Sequence, residues 1–139
     1  MRQSGVLLHI TSLPSPGGIG TLGQAAYEFV DFVKASGMTI WQMLPIGPTG
    51  YAESPYQSVS TFAGNPLMID PDMLIEEGLL SEGDYAPLAI QPNVDFEAVK
   101  AQKSALLRKA FETSCARLRD DIAAFEAAHP WVQIGRAHV

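Results

Sequence analysis

Two short apolar runs and two longer periodic stretches divide this chain. The first run, Gly5-Val6-Leu7-Leu8-His9-Ile10, is nearly continuous in hydrophobic side chains. A run without polar alternation suits a strand covered on both faces, as in a parallel sheet. Residues 11–23 then carry Pro14, Pro16, Gly17, Gly18, Gly20 and Gly23, which forbid a regular element there. Thr21 with Gln24 three residues later has the form of a capping box. The helix it opens is expected to carry Ala26, Tyr27, Val30 and Val33 on its apolar stripe, with Glu28, Asp31 and Lys34 largely elsewhere. Gly37 stops that helix in the C′ position. Thr39-Ile40-Trp41-Gln42-Met43-Leu44 reads as a second strand, ended by Pro45. Strand, loop, helix and strand in this order predict a right-handed βαβ unit.

The pattern changes between residues 47 and 71, where seven glycines and prolines surround Tyr51, Tyr56 and Phe62. A loop this long inside a compact domain usually carries function. Residues 71–78 read as a short helix with an acidic start and a glycine stop. From Asp95, a candidate N-cap, Val99, Leu106, Leu107, Ala110, Phe111, Leu118, Ile122 and Phe125 recur at helical spacing. Thirty residues are long for one globular helix, so two helices broken near residues 113–115 fit equally well, with Pro130 as the end.

Composition narrows the function classes. Hydrophobic residues make up 47% of the 139 residues, enough for a core rather than a disordered chain. Nine basic against fifteen acidic side chains argue against a nucleic-acid or anionic membrane surface. One cysteine, Cys115, excludes an internal disulfide framework and a cysteine-rich zinc site. The apolar runs fall short of the roughly 20 residues that span a bilayer, and the first is too short for a signal-peptide core. A cytoplasmic protein without a metal site is expected. A closed α/β barrel needs about 250 residues, so a barrel-type chain of this length carries only part of one.

Gly18-Ile19-Gly20-Thr21-Leu22-Gly23 matches the dinucleotide fingerprint G-x-G-x-x-G between a strand and a helix. Against it, Gly18 lies eight residues beyond Ile10, with two prolines between, and no acidic residue follows the second strand to hold a ribose. His9 reads either as a core or rim histidine or as a site residue at the end of the first strand. Among Glu53, Asp70, Asp72, Glu76 and Glu77, only Glu53 lies in the long loop, and no two look poised as acid and nucleophile. Tyr51-Ala52-Glu53-Ser54-Pro55-Tyr56-Gln57-Ser58 offers aromatic faces beside hydroxyl and amide groups. That combination suits a sugar, whose ring has an apolar face and polar edges. A packed loop with an incidental tyrosine is the alternative.

These segments resemble one family. Gly5-Val6-Leu7-Leu8-His9-Ile10-Thr11-Ser12-Leu13-Pro14 is similar to the opening strand of the amylomaltases, the 4-alpha-glucanotransferases of glycoside hydrolase family 77. Trp41 to Tyr51, Ser54-Pro55-Tyr56-Gln57-Ser58 and Phe62-Ala63-Gly64-Asn65-Pro66 resemble its second strand and following loop. Residues 94–96 and 103–111 resemble its helical insertion more loosely. The resemblance implies the N-terminal β-α-β portion of a (β/α)8 TIM barrel plus the start of a helical insertion, an α/β fold with the barrel incomplete. Residues 1–70 would be the first βαβ unit and substrate loop, and 71–132 the insertion segment. It implies disproportionation of maltooligosaccharides, and starch- or glycogen-derived α-glucans, by a retaining double displacement without cofactor.

Carried over residue by residue, Tyr56 is expected to be the stacking platform beside the scissile bond, with Ser54 and Gln57 shaping the loop. Tyr51 is expected near a second glucan groove. Asn65 and Asp70 are expected to order the loop, and Ser12 to lie on the rim. The family's three catalytic carboxylates lie on later strands, so none of the acids here takes their roles and the chain alone is expected to be inactive. A non-catalytic glucan-binding protein and a dinucleotide-binding module are the alternatives. Residues 133–139 depart from the family pattern. One reverse translation of the last six is a common sequencing-library adapter, so a non-native tail is expected there.

Overall fold

The computed structural model describes residues 2–58, 60, 62–88 and 91–132. The expected non-native tail therefore lies outside the described residues. The chain runs through β1 (Gly5–Leu7), α1 (Gln24–Ala35), β2 (Ile40–Gln42), α2 (Pro71–Glu76), α3 (Phe96–Ser114) and α4 (Arg119–Ala128), with four short 3-10 turns between them. β1 and β2 pair in parallel with Val6 opposite Trp41. The expected βαβ unit is present, and both strands are shorter than the apolar runs that announce them. The ladder continues past them through Thr39 N–H to Ser4 O at 3.0 Å and Leu8 N–H to Gln42 O at 3.0 Å. At His9 the chain turns into a 3-10 turn, Ile10–Ser12, which drops Ile10 fully into the core. The run 5–10 is thus half strand and half core plug.

One face of the sheet is covered by α1. Phe29 meets Trp41 edge to face at 4.9 Å, a geometry worth about 0.5–1.5 kcal/mol beyond burial. The Trp41 indole also donates to Leu8 O at 2.7 Å. The opposite face is open, with Leu7 58% and Ile40 41% exposed. α1 departs from its expected stripe. Ala26 and Val33 are buried and Phe29 packs beside them, whereas Tyr27 and Val30 face solvent. A two-stranded sheet is too narrow to cover the whole stripe.

The capping box at Thr21 and Gln24 does not form. Gly23 is the N-cap, without a side-chain cap. The Thr21 hydroxyl instead donates to the Asp70 carboxylate, and Gln24 reaches Glu28 one turn on. Gly37 at φ +73° ends α1 as expected, and Gly78 at φ +69° follows α2. Asp70 caps α2 by accepting from Asp72 N–H at 3.0 Å and Met73 N–H at 3.2 Å.

α3 is capped by Asp95, whose carboxylate accepts from Ala98 N–H at 3.0 Å. The expected break falls between Ser114 and Arg119. Val99, Leu106 and Ala110 form the buried stripe of α3, with Lys103 among them. Phe111, Ile122 and Phe125 are exposed rather than core. Val99 joins Ile19 and Leu67 in one cluster, so residues from the 1–70 and 71–132 segments share a core.

Candidate functional site

Two glycine- and proline-rich loops leave the strands, one after β1 and one after β2. The loop after β1 is closed against the protein. Gly18 N–H bonds Ser15 O, Gly20 N–H bonds Thr11 O and Leu22 N–H bonds Met68 O. A Cβ on Gly20 would overlap the Ile10 carbonyl, and one on Gly23 would overlap the Asp70 carboxylate. These amides already have partners, and the Asp70 carboxylate lies against Gly23 at the start of α1. The dinucleotide reading of Gly18–Gly23 is therefore overturned; Gly20 is there for close approach of backbone to backbone, and Gly18 and Gly23 for close approach of the Leu88, Val99 and Asp70 side chains.

The loop after β2 is built differently. Asn65 anchors its start. The side chain is buried, its Nδ2 donates to Gly47 O at 3.0 Å and its Oδ1 accepts from Leu67 N–H at 3.0 Å. Gly50 packs so tightly on the Gln57 carbonyl that a Cβ there would overlap it. The loop thereby folds back on itself between residues 50 and 57. At its tip, Tyr51–Glu53 makes a 3-10 turn in which Ala52 has φ 54° and Glu53 has φ 57°. Each non-glycine residue in this left-handed region costs roughly 1–2 kcal/mol.

The Glu53 side chain ties this turn down. Its carboxylate accepts from Lys100 Nζ on α3 at 2.5 Å and from Thr49 Oγ1 at 2.6 Å. These bonds, Lys100 first, hold its carboxyl below the usual carboxylate range, which favours the ionised form. Tyr51 and Tyr56 stand out from the tip, 86% and 72% exposed. Ser54 is half-buried and Gln57 is exposed. The structure therefore brings Tyr51, Ser54, Tyr56 and Gln57 onto one folded-back loop. Asn65 lies beneath and acts on them by holding the loop. Sequence reasoning missed Thr49 and Lys100. Thr49 stands four residues before Glu53, but nothing local marks Lys100, which is 47 residues away.

His9 lies at the mouth of β1, beside a cavity of about 190 Å³ that Thr49, Glu53, Asn65 and Phe96 also line. Its Nδ1 is buried and has no protein partner among the described residues. Burial holds its pKa below 6.5, which favours the neutral ring. Ser12 is exposed and shares this cavity, as a rim residue would. Among the described residues, no three His, Cys, Asp or Glu side chains form a group able to hold a metal ion. No helix among them is long and apolar enough to cross a membrane.

Comparison with known proteins assigns this α/β unit, with its exposed tyrosines on the loop after β2, to a family. The structure of the amylomaltase from Streptococcus agalactiae in complex with acarbose matches with a TM-score of 0.88 and 40% identity, over 94% of this chain and 28% of that one. The 4-alpha-glucanotransferase of Aquifex aeolicus is 49% identical over 114 residues, 81% of this chain and 23% of the relative. That of Thermus thermophilus is 45% identical over 134 residues, 94% of this chain and 26% of the relative. The 4-alpha-glucanotransferase model of glycoside hydrolase family 77 matches residues 8–134. The chain belongs to this family. It spans about a quarter of the length of the relatives it matches, and its βαβ unit with the following helices is the N-terminal portion of the amylomaltase fold.

Proposed function

We propose that the protein carrying this chain is a 4-alpha-glucanotransferase that passes α-1,4-glucan segments between maltooligosaccharides. The observation that carries this reading is the folded-back loop after β2. Within a family match that covers nearly the whole chain, it presents Tyr51 and Tyr56 to solvent on a strained, anchored turn. The acarbose complex of the solved relative supports an α-glucan ligand. In this reading Tyr56 stacks on the apolar face of a donor sugar, with Ser54 and Gln57 offering hydrogen bonds to its hydroxyls. Tyr51 faces a second glucan groove, and Asn65 orders the loop. Substrates are maltooligosaccharides and α-glucans derived from starch or glycogen.

Retaining transfer needs a carboxylate nucleophile and a carboxylic acid across the scissile bond. Glu53 is held ionised by Lys100 and is not that acid. The reading therefore assigns this chemistry to further strands of a (β/α)8 barrel that would cover the open sheet face at Leu7 and Ile40. Residues 1–70 supply one wall of the site and 71–132 begin the helical insertion. The cytoplasm is proposed as the compartment, on the acidic, cysteine-poor composition.

The full-length protein incubated with maltotriose should release glucose and form longer maltooligosaccharides. The 139-residue chain alone should not. Tyr56→Ala in the full-length protein should lower transfer by roughly 10- to 100-fold, the scale of a lost stacking anchor, with unfolding unchanged within about 0.5 kcal/mol. Glucan binding without transfer in the full-length protein would replace this reading with that of a non-catalytic glucan-binding protein.

A further inference from the structure

The tip of the sugar loop is tied to α3 through one carboxylate, and that tie has a consequence for the reaction. We propose that Glu53 is a positioning residue, which through Lys100 makes the placement of the Tyr56 loop depend on α3. This rests on the transferase reading of the same loop. Ala52 and Glu53 both occupy the left-handed region, so the turn they make is not the chain's own preference. It is followed by a chain of backbone bonds, Glu53 N–H to Gly50 O at 3.2 Å, Ser54 N–H to Tyr51 O at 3.2 Å and Gln57 N–H to Ser54 O at 3.2 Å. Residues 50–57 therefore turn together, and Tyr56 follows the direction set at Glu53.

Two side chains fix that unit from elsewhere in the described protein. Asn65 holds its root at Gly47, and Lys100 holds its tip at Glu53. Thr49, the carboxylate's other partner, belongs to the loop itself and cannot place it relative to the rest. A charge-assisted bond of 2.5 Å is directional and short. It is also partly exposed, with 46% of the Lys100 side chain and 26% of that of Glu53 accessible, so salt weakens it. Lys100 lies one residue past Val99, which is buried against Ile19 and Leu67. The helix that carries the anchor is thus fixed to the core while the loop is not.

The test uses the full-length protein. Lys100→Met should raise the KM for maltotriose by about fivefold, the scale of a partly exposed ion pair, while kcat stays within about twofold. Lys100→Arg should keep the wild-type KM. Added salt should raise the wild-type KM and leave that of Lys100→Met unmoved. The double variant Glu53→Gln with Lys100→Met should be no worse than Lys100→Met alone, because both remove the same tie. Chymotryptic cleavage after Tyr51 and Tyr56 should quicken in Lys100→Met at unchanged melting temperature. An unchanged KM in a Lys100→Met protein that transfers glucan, an additive double variant, or an unchanged cleavage rate overturns the role. A folded wild-type protein that transfers no glucan overturns the transferase reading instead, and the wild-type assay separates the two results.

Discussion

The loops after β1 and β2 share composition and place in the fold, yet they do opposite work. The first uses its glycines to let backbone and side chains from elsewhere in the protein press on it. Gly20 lies against Ile10 and Leu13, and Gly23 against Asp70, with amides bonded to carbonyls of the same protein. The second also packs a glycine on backbone, Gly50 on the Gln57 carbonyl, but folds back on itself alone and leaves Tyr51 and Tyr56 in solvent. Glycine content alone does not separate a loop packed on the protein from one that presents aromatics to solvent; the fate of the amides and aromatics does. Both loops lean on one strut, residues 65–70. Asn65 at one end of it ties the second loop at Gly47, and Asp70 at the other ties the first at Thr21.

The largest break in this comparison should come from the first loop. In Gly20→Ala the new Cβ would overlap Ile10 O and lie 2.8 Å from Leu13 N and 2.9 Å from Leu13 O. All three are backbone atoms that cannot swing aside. A loss of about 3 kcal/mol or more in denaturant unfolding is expected. Gly64→Ala, in the second loop, meets nothing within 4 Å and has no positive φ, so it should stay within about 0.5 kcal/mol of wild type. Equal losses in the two variants would erase the distinction. Asn65→Ala comes next. It removes a cap on Leu67 N–H and the tether to Gly47 O, and should cost about 1–2 kcal/mol. Unlike Gly20→Ala, it should also raise the donor KM of the full-length protein, because it frees the root of the second loop. A destabilised Asn65→Ala protein with wild-type KM would show that the strut does not govern the loop after β2.

Much of this was legible along the chain. The βαβ order, the glycine stop at Gly37, the Asp70 and Asp95 caps and the break after Ser114 follow from local rules, and local rules are written in neighbouring residues. The failures come where local pattern says nothing of distant partners or of where an element ends. Thr21 and Gln24 satisfy the capping-box pattern, but Asp70, 49 residues on, takes the threonine hydroxyl. Residues 5–10 read as one strand because apolar continuity does not say where a strand turns inward, as it does at His9. Val30, Tyr27, Phe111 and Phe125 were expected inside and are exposed, because periodicity marks an apolar face without saying what covers it. For the site, the resemblance pointed to the aromatic loop, while the ion pair that sets its tip had no local trace. Lys103 was equally invisible, a lysine within a buried stripe where only hydrophobic residues would be expected.

Lys103 is the third tie on the strut. Its Nζ donates to Ile69 O at 2.6 Å, beside Asp70, while the side chain is buried on α3. Burial lowers its pKa to about 8, and the nearby Asp70 and Asp72 charges oppose that shift only in part. The unfolded chain keeps this proton up to about 10.5, whereas the folded chain releases it near 8. Between those values the unfolded state binds more protons, so the Lys103 contribution to stability rises with pH and is lost again as pH falls through 8. Tyr85, pushed up to about 12 chiefly by burial, works the other way above pH 10, because its phenol ionises first in the unfolded chain. The clean window is therefore pH 8 to 10. Lys103→Met keeps much of the side-chain volume and removes the buried charge, at the expense of the bond to Ile69. At pH 7.5 it should be as stable as wild type or about 1 kcal/mol more so. Wild type should gain on it by about 1 kcal/mol or more by pH 9.5, the scale of one pKa unit. Parallel stability curves for the two proteins across this range would mean that α3 is held on the strut by packing alone, with the ammonium contributing nothing.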